Sequence, residues 1–360
     1  MSERYSLRNA RCPHRPALDP HEDIVPCIML DKQHDPGHAG AGARLTRDVT
    51  ADAIRMGRAE IRVGTASWTD RTMTARGVFY PDGVSTPEAR LRYYASRLPM
   101  VEADAGFYAI PDRATTERWV ERTPIDFVFD VKAHALMTGH ATDVKRLPRV
   151  IRDEIPPSVA PGGRVYAKDL PLELRDEVWR LFRDAVQPLH DAGKLGVILL
   201  QFAPWIRPAR HTPAMLARAR ERLGDLPIGV EFRHPSWLAP KLRERVWSQL
   251  RDYGMTYVIA DTPPGTPTSL PLVPAITTEK LSVVRLHGRR SELWGARDAQ
   301  VVEKYRYLYD REELEGWLAV ILELAEQTEQ LHVVFNNCYA NYGTTNAFEM
   351  TGMLLDASRQ

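Results

Sequence analysis

The sequence has few cysteines, almost no net charge and no long apolar run, and each absence excludes a class of protein. Its three cysteines are too few to hold 360 residues together through disulfides, so we expect a reducing, cytoplasmic setting. The 48 basic and 47 acidic side chains leave a formal charge of +1, which disfavours a protein that coats nucleic acid. No apolar stretch approaches the ~20 residues that span a bilayer, so we expect no membrane partner.

Familiar catalytic motifs are missing as well. The chain contains no nucleophile elbow, Walker motif or HExxH pair, which argues against a serine hydrolase, a P-loop enzyme and a zincin. The first predicted strand is followed by residues 64–68 (GTASW) rather than by a GxGxxG turn. This disfavours an open doubly wound sheet, which normally places a glycine-rich phosphate turn there.

The first 59 residues differ from the rest of the chain. They are rich in Pro, His, Gly and Ala and show no helical or strand periodicity, so we predict a largely disordered extension over 1–59 and one domain over 60–360. Two cysteines and two histidines within residues 12–27 are spaced too irregularly to favour a zinc site. Met56 is an alternative start of the native chain.

Short β-branched apolar runs alternate with amphipathic helical segments after residue 60. Strands that are apolar on both faces are typical of a parallel sheet. Eight such units over ~300 residues predict an α/β protein with a (β/α)8 TIM-type barrel. The predicted strands are 61–67, 100–104, 127–132, 195–201, 228–232, 256–261, 281–287 and 331–337.

Two connections break this regularity. Residues 133–194 are a long excursion with one convincing helix near 172–190, and residues 262–280 contain five prolines and no helical pattern. Long connections of this kind in a compact domain are usually functional loops or lids. A surface insertion without function is the alternative.

Polar side chains follow most of the predicted strands, at the ends that meet in one mouth of a parallel barrel. Residues at i and i+2 of a strand point to the same side. Charges at the ends of buried strands are costly unless they are paired or used. The polar residues at these strand ends include Glu102, Asp104, Asp130, Lys132, Gln201, Glu231, Arg233, Asp261, Arg285, His287, Asn336 and Asn337.

Two interpretations of this ring of polar groups stay open. A site for a polar ligand is favoured, because a plug of salt bridges needs fewer groups. In that case, replacing Glu231 or His287 with Ala abolishes ligand binding and leaves the fold largely intact. An internal network that plugs the barrel predicts instead a loss of several kcal/mol of stability.

The carboxylates Glu102, Asp104, Glu231 and Asp261 allow two chemistries. One carboxylate acts as a general base while another, whose pKa is raised by its neighbours, acts as a general acid. Alternatively, three of them bind a divalent metal together with His287, and the metal polarises a substrate oxygen. A hydrolase or a lyase would use either arrangement, and His287 is a catalytic candidate in both.

The remaining candidates are predicted to bind the substrate. The cations would hold a phosphate or carboxylate through charge-assisted hydrogen bonds, the asparagines would orient the substrate, and the aromatics would stack on a sugar or base. The predicted binding residues are Trp68, Tyr108, Lys132, Arg233, Trp237, Arg285, Asn336 and Asn337.

A series of motifs runs from about Ile61 to the last helix. They are residues 64–68 (GTASW), 79–81 (FYP), Val101-Glu102, Phe107-Tyr108, Arg118-Trp119, Lys132, Thr138 with His140, 231–234 (EFRH), Ser236-Trp237, Asp261, 285–289 (RLHGR), 335–337 (FNN) and Asn346-Ala347. In these motifs the sequence resembles the domain of unknown function family 72, the YecE-like proteins. The resemblance implies a TIM-type barrel and implies no particular reaction. The family commonly has Asn at the position of Asp104, and the added carboxylate would raise a neighbouring pKa or attract a cation.

We therefore expect an enzyme that acts on a small polar, anionic or sugar-like substrate at the carboxyl-terminal mouth of the barrel. A divalent metal is the cofactor that the acidic residues allow. One alternative is a protein that binds or processes nucleic acid, with the cations on phosphates and the tryptophans on bases. A ligand sensor without catalysis is the other. The sequence carries no signal for the oligomeric state.

Overall fold

The protein is described by a computed structural model, which covers residues 47–156, 158–160, 162–294 and 301–359. The strands are β1 (Ile54–Met56), β2 (Ala59–Ala66), β3 (Met100–Ala103), β4 (Val128–Lys132), β5 (Thr142–Asp143), β6 (Arg164–Val165), β7 (Leu195–Gln201), β8 (Ile228–Glu231), β9 (Met255–Asp261), β10 (Ser282–Leu286) and β11 (Gln330–Phe335). The α-helices are α1 (Pro87–Ala95), α2 (Arg113–Glu121), α3 (Arg149–Arg152), α4 (Leu172–Asp191), α5 (Thr212–Leu223), α6 (Pro240–Asp252), α7 (Val301–Lys304), α8 (Arg311–Ala325) and α9 (Tyr342–Ala357).

Eight parallel strands close into a barrel, in the order β2, β11, β10, β9, β8, β7, β4 and β3. The barrel closes where β3 pairs with β2, with Val101 opposite Thr65. Helices lie between most successive strands, so each crossover returns to the same end of the barrel. The predicted TIM-type barrel is confirmed, and all eight of its strands overlap the predicted ones.

Part of the predicted extension carries secondary structure. Residues 49–51 form a 3-10 turn, and β1 pairs antiparallel with β2, with Ile54 opposite Ile61. The Ile54 side chain is buried in the core. A strand of three residues is too short to show periodicity, so the sequence pattern missed it. Residues 1–46, with the cysteines and histidines of 12–27, lie outside the described residues.

The two long connections differ in structure. The excursion over 133–194 begins with a buried 3-10 helix (Ala135–Met137) at the mouth and contains the predicted helix as α4. Residues 262–280 run from β9 to β10 without an α-helix. The Thr277 hydroxyl joins this connection to β9, because it accepts a hydrogen bond from the Tyr257 amide at 2.7 Å.

The barrel interior contains an apolar cluster below the mouth. Ala66, Met100, Val128 and Val334 form one cluster of buried side chains from neighbouring strands. Burial of a large apolar side chain stabilises a protein by roughly 1.5–3 kcal/mol. The polar groups of the strand ends lie above this apolar cluster.

Gly64 lets β2 and β3 approach closely inside the barrel. A Cβ atom at this position would lie 2.3 Å from the Met100 carbonyl oxygen, which is backbone and has little freedom to move. We expect Gly64→Ala to lower the free energy of unfolding by roughly 1–3 kcal/mol, measured by urea denaturation. Gly316→Ala is the matched control, since a Cβ there meets nothing within 4 Å. The helical control should gain about 0.5–1 kcal/mol. Equal effects of the two changes would contradict the crowding at Gly64.

Candidate active site

Arg285 crosses the barrel interior and joins carboxylates from two other strands. It projects from β10 and is 1% exposed. Its Nε and Nη2 atoms donate to Glu102 Oε2 and Oε1, both at 2.7 Å, and its Nη1 atom donates to Glu231. Buried charges of this kind are tolerated only when they are paired with good geometry. The predicted internal salt-bridge network is therefore present beneath the mouth.

Glu231 is the most connected group of this network. Its Oε1 atom accepts hydrogen bonds from Gln201 Nε2 at 2.7 Å and from Arg233 Nη1 at 3.2 Å, and contacts His287 Nε2 at 3.1 Å. Burial alone would raise the pKa of Glu231, but Arg285, His287 and Arg233 together hold it well below its usual value. Glu231 therefore stays ionised and is unsuited to act as a general acid.

His287 is held between two protein groups and is buried. The Glu231 carboxylate can only accept, so His287 Nε2 carries the proton and Nδ1 accepts from the Asn336 amide at 2.7 Å. Burial lowers the pKa of His287 to about 3, which keeps the ring neutral. Because both nitrogens are engaged, His287 acts as a positioning residue for Glu231 and Asn336.

Lys132 lies at the mouth above the network and is partly exposed. Its Nζ atom is 4.7 Å from the centroid of the Phe107 ring, and it forms no hydrogen bond or ion pair within the described part of the chain. Burial and the charge of Arg285 lower its pKa to about 8 against the opposing pull of nearby carboxylates. About a tenth of such amines are neutral at pH 7.

Asp104 lies beside Lys132, at the end of β3. Burial raises the pKa of its carboxyl group, while Lys132 and the Ser67 hydroxyl act in the opposite direction. Glu102 differs, because both of its oxygens are engaged by Arg285 although burial raises its pKa too. Asp104 is therefore the carboxyl group that is best placed to exchange a proton with a ligand.

The excursion after β4 adds His140 to the mouth, and sequence reasoning did not name it as a site residue. Its Nδ1 atom lies 3.0 Å from the Thr138 hydroxyl, and its ring packs against Phe107. Burial, Lys132 and Arg233 lower its pKa to about 4, so it is neutral at pH 7. The Thr138–His140 motif and the length of this excursion were the signals available in the sequence.

Aromatic rings surround the cations of the mouth. The Arg233 guanidinium lies 5.0 Å from the centroid of Trp294, which in turn packs edge-on against Tyr305. Tyr108, which follows β3, is 46% exposed, and Trp205, which follows β7, is 54% exposed. Amphipathic rings at a polar opening suit the recognition of a planar or sugar-like ligand.

Asp261 does not face this opening, contrary to the prediction. Its position in the sheet is opposite Leu286, and side chains alternate along a strand, so it points away from the side that carries Arg285. There it accepts hydrogen bonds from Tyr309 at 2.7 Å and from Arg289 at 2.9 Å. Asp261 therefore links the outside of the barrel to the following loop.

Three predicted binding residues are core residues instead. Trp237 is fully buried, stacks on Phe232 at 4.3 Å and donates from Nε1 to a backbone carbonyl. Trp68 is buried edge-on against a second tryptophan. Asn337 donates to the Asn346 side chain at 2.9 Å and has no exposed surface. The sequence around an aromatic or amide side chain near a strand end does not show whether that side chain packs in the core or contacts a ligand.

Asp130 pairs with His332 rather than with Lys132, its i+2 neighbour on β4. Its carboxylate lies 3.0 Å from His332 Nδ1, deeper in the barrel.

The partners of the acidic side chains also decide whether a metal ion can bind. Over the described ranges there is no group of three or more His, Cys, Asp or Glu side chains that could hold a metal ion. The oxygens of Glu102 and Glu231 serve Arg285 instead, so the donor set does not fit the predicted divalent metal.

The fold and the mouth define a (β/α)8-barrel protein with a buried ionic network beneath a polar opening. The chain belongs to the family described as Protein of unknown function DUF72, whose model matches residues 62–360. The family resemblance is thereby confirmed. Within the described residues, no helix is both long and apolar enough to cross a membrane.

Relatives of this chain include proteins of known structure. This chain is 31% identical over 298 residues to the UPF0759 protein YunF of Bacillus subtilis (strain 168). The match covers 82% of this chain and 94% of that protein. A DUF72 protein from Enterococcus faecalis V583 superposes with a TM-score of 0.65 at 25% identity, covering 82% of this chain and 95% of that one. One from Thermotoga maritima MSB8 gives 0.64 at 28% identity, with coverage of 82% and 99%.

Glu231→Gln should destabilise the protein, because it leaves the buried Arg285 with one carboxylate partner. We expect a loss of about 3–5 kcal/mol in the free energy of unfolding, measured by urea denaturation. Glu88→Gln is the matched control, since Glu88 forms an exposed ion pair with Arg92 on α1 and should change stability little. A loss at Glu231 no larger than at Glu88 would contradict the structural role of the network.

His287 should make stability depend on pH. Its folded pKa is about 3, whereas an unfolded histidine titrates near pH 6.5, so the unfolded chain binds the extra proton between these values. The free energy of unfolding should therefore fall as pH falls from about 6.5 towards about 3. His287→Asn should reduce this slope, as followed by urea midpoints at several pH values. His211→Asn, at an exposed position, is the control, and an unchanged slope in His287→Asn would refute the assignment.

Proposed function

We propose that this protein is an enzyme that binds a small polar substrate with an anionic group at the carboxyl-terminal mouth and transforms it by acid–base chemistry. The observation that carries the proposal is Lys132. It lies in an opening close to Glu102, Asp104 and Glu231, yet no carboxylate of the described chain lies within ion-pair distance of its amine. A cation left unpaired beside a polar opening is suited to a ligand.

The substrate's anionic group would bind between Lys132 and Arg233. Arg233 uses Nη1 for Glu231, and its other N–H groups form no hydrogen bond among the residues that the structure describes. The side-chain carbonyl oxygen of Asn336 is another candidate contact for the substrate. The amide nitrogen of Asn336 donates to His287, whereas its carbonyl oxygen has only the Cys338 thiol, at 4.0 Å, as a donor among the described residues. Charge-assisted hydrogen bonds of this type are about twice as strong as neutral ones.

Proton transfer would involve Lys132 and Asp104. A group with a pKa of about 8 is close to neutral pH and is efficient both as an acid and as a base. Burial raises the pKa of Asp104 above its usual value, which favours a protonated carboxyl group that can donate to the substrate. Neutral His140, which faces both cations, can donate or accept a further hydrogen bond.

A second candidate is a protein that binds or processes nucleic acid. The exposed rings of Tyr108 and Trp205 favour it, as does Arg146, whose guanidinium lies 5.5 Å from the centroid of Tyr108. Aromatic stacking on bases beside cations is typical of single-strand binding. Oligonucleotide binding that weakens steeply with salt would support this function, and no binding at low salt would exclude it.

A thermal-shift screen tests the enzyme proposal. Phosphosugars, small carboxylates and nucleotides are added to the wild type, to Lys132→Met and to Arg233→Met. We expect at least one anionic class to stabilise the wild type and to bind each variant at least ~10-fold more weakly, because a charge-assisted bond is lost. Lys145→Met, at an exposed position of the excursion over 133–194, should bind like the wild type.

Product analysis with the stabilising compound then separates an enzyme from a ligand sensor. Conversion that is lost in Lys132→Met and kept in Lys145→Met is the expected result. Binding without any product would indicate a sensor. If no anionic compound stabilises the wild type, or if Lys132→Met binds it equally well, the proposed site is wrong.

A further inference from the structure

We propose that Lys132 is a nucleophile that forms an imine with the carbonyl carbon of a small anionic aldehyde or ketone. This inference rests on the function proposed above and narrows its substrate to carbonyl compounds. It also selects a lyase over a hydrolase, because an imine activates a neighbouring carbon–carbon or carbon–hydrogen bond.

The surroundings of the amine carry this inference. Lys194, which is buried just before β7, donates from Nζ to the Val120 carbonyl at 2.8 Å and to the Thr123 carbonyl and hydroxyl, both at 2.9 Å. Its three protons are all engaged, so it is held as a structural cation. Lys132 has no such acceptors in the described chain and faces a ring instead.

The mouth also favours the neutral form of the Lys132 amine. Partial burial and Arg285 both act against the ammonium charge, which is how proteins activate lysine nucleophiles. Arg285 itself cannot move away, because Glu102 and Glu231 hold it on both sides. Arg285 is thus a fixed cation near the amine, and burial together with Arg285 outweighs the opposing effect of Glu102 and Glu231 on the pKa of Lys132.

The step needs no oxidant and no metal. The Nζ lone pair bonds to the carbonyl carbon while the π electrons move to oxygen, which takes the proton of the Asp104 carboxyl group. The Asp104 carboxylate then takes a proton from nitrogen and returns it to the hydroxyl group, which leaves as water. The nitrogen lone pair forms the new C=N bond. The products are a protonated imine, one water and the Asp104 carboxylate.

Arg233 would hold the anionic end of such a substrate while its carbonyl end reaches Lys132. Lys132 and Arg233 both lower the pKa of His140, which supports their acting on one ligand. A compound of a few carbon atoms with a carboxylate or phosphate next to its carbonyl group fits this arrangement. Pyruvate and dihydroxyacetone phosphate are the simplest probes of the two kinds.

Reductive trapping tests the proposal. The full chain is incubated with pyruvate or dihydroxyacetone phosphate and sodium cyanoborohydride, and the reduced adducts are mapped by peptide mass spectrometry. We expect one of the two probes to label Lys132 in clear excess over the exposed lysines. Those internal controls are Lys145, Lys168, Lys241 and Lys280.

Two variants make the result specific. Lys132→Arg keeps the positive charge but has no nucleophilic amine, so it should lose the adduct and still be stabilised by anionic ligands. Asp104→Asn removes the proton donor and should slow trapping on Lys132 by about 100-fold while the thermal-shift response is kept.

The outcomes separate this inference from the proposed function. Labelling that is absent from Lys132 with both probes, or is equal on the exposed lysines, overturns the imine. If anionic ligands still stabilise the protein in that case, the proposed binding site stands without it. If neither labelling nor stabilisation occurs, both fail.

Discussion

The ion pairs of Arg285 with Glu102 and Glu231 are the constraint on which the rest of the site depends. They connect β3, β8 and β10 across the barrel interior, where the three side chains are at most 1% exposed. An uncompensated charge at this depth would cost several kcal/mol, so the three side chains have one workable arrangement. That arrangement keeps Glu231 ionised and holds His287 neutral, and through His287 it orients Asn336.

The network separates two environments within one barrel. Below it, Met100, Val128 and Val334 belong to a buried apolar cluster, and the Asp130–His332 pair is also buried there. Above it, Lys132 has no ionic partner in the described chain although carboxylates are near. The salt-bridge network and the proposed ligand site, which the sequence presented as alternatives, therefore occupy successive layers. The lower layer provides rigidity, and the upper layer provides groups that are free to bind.

Agreement between sequence and structure is closest where one strong physical pattern operates. The run 195–201 was predicted to the residue as β7, because continuous apolar burial leaves a clear signature. The i, i+2 rule placed Arg285 and His287 on one side of β10, and both contact Glu231. The same rule could not place Asp261. Whether it faces into or out of the barrel depends on the residue with which it pairs on the neighbouring strand, and that residue is Leu286.

The sequence by itself determined the barrel, the end of it at which the polar groups gather, and the family. Periodicity and chain order carry that information, because each is a local property that repeats along the chain. Tertiary structure alone decided which polar groups pair with one another and which remain unpaired. In the fold, Trp237 packs in the core, Asp130 pairs with His332, and His140 lies at the mouth on a loop. These outcomes depend on distances between residues far apart in the chain, which no local pattern encodes.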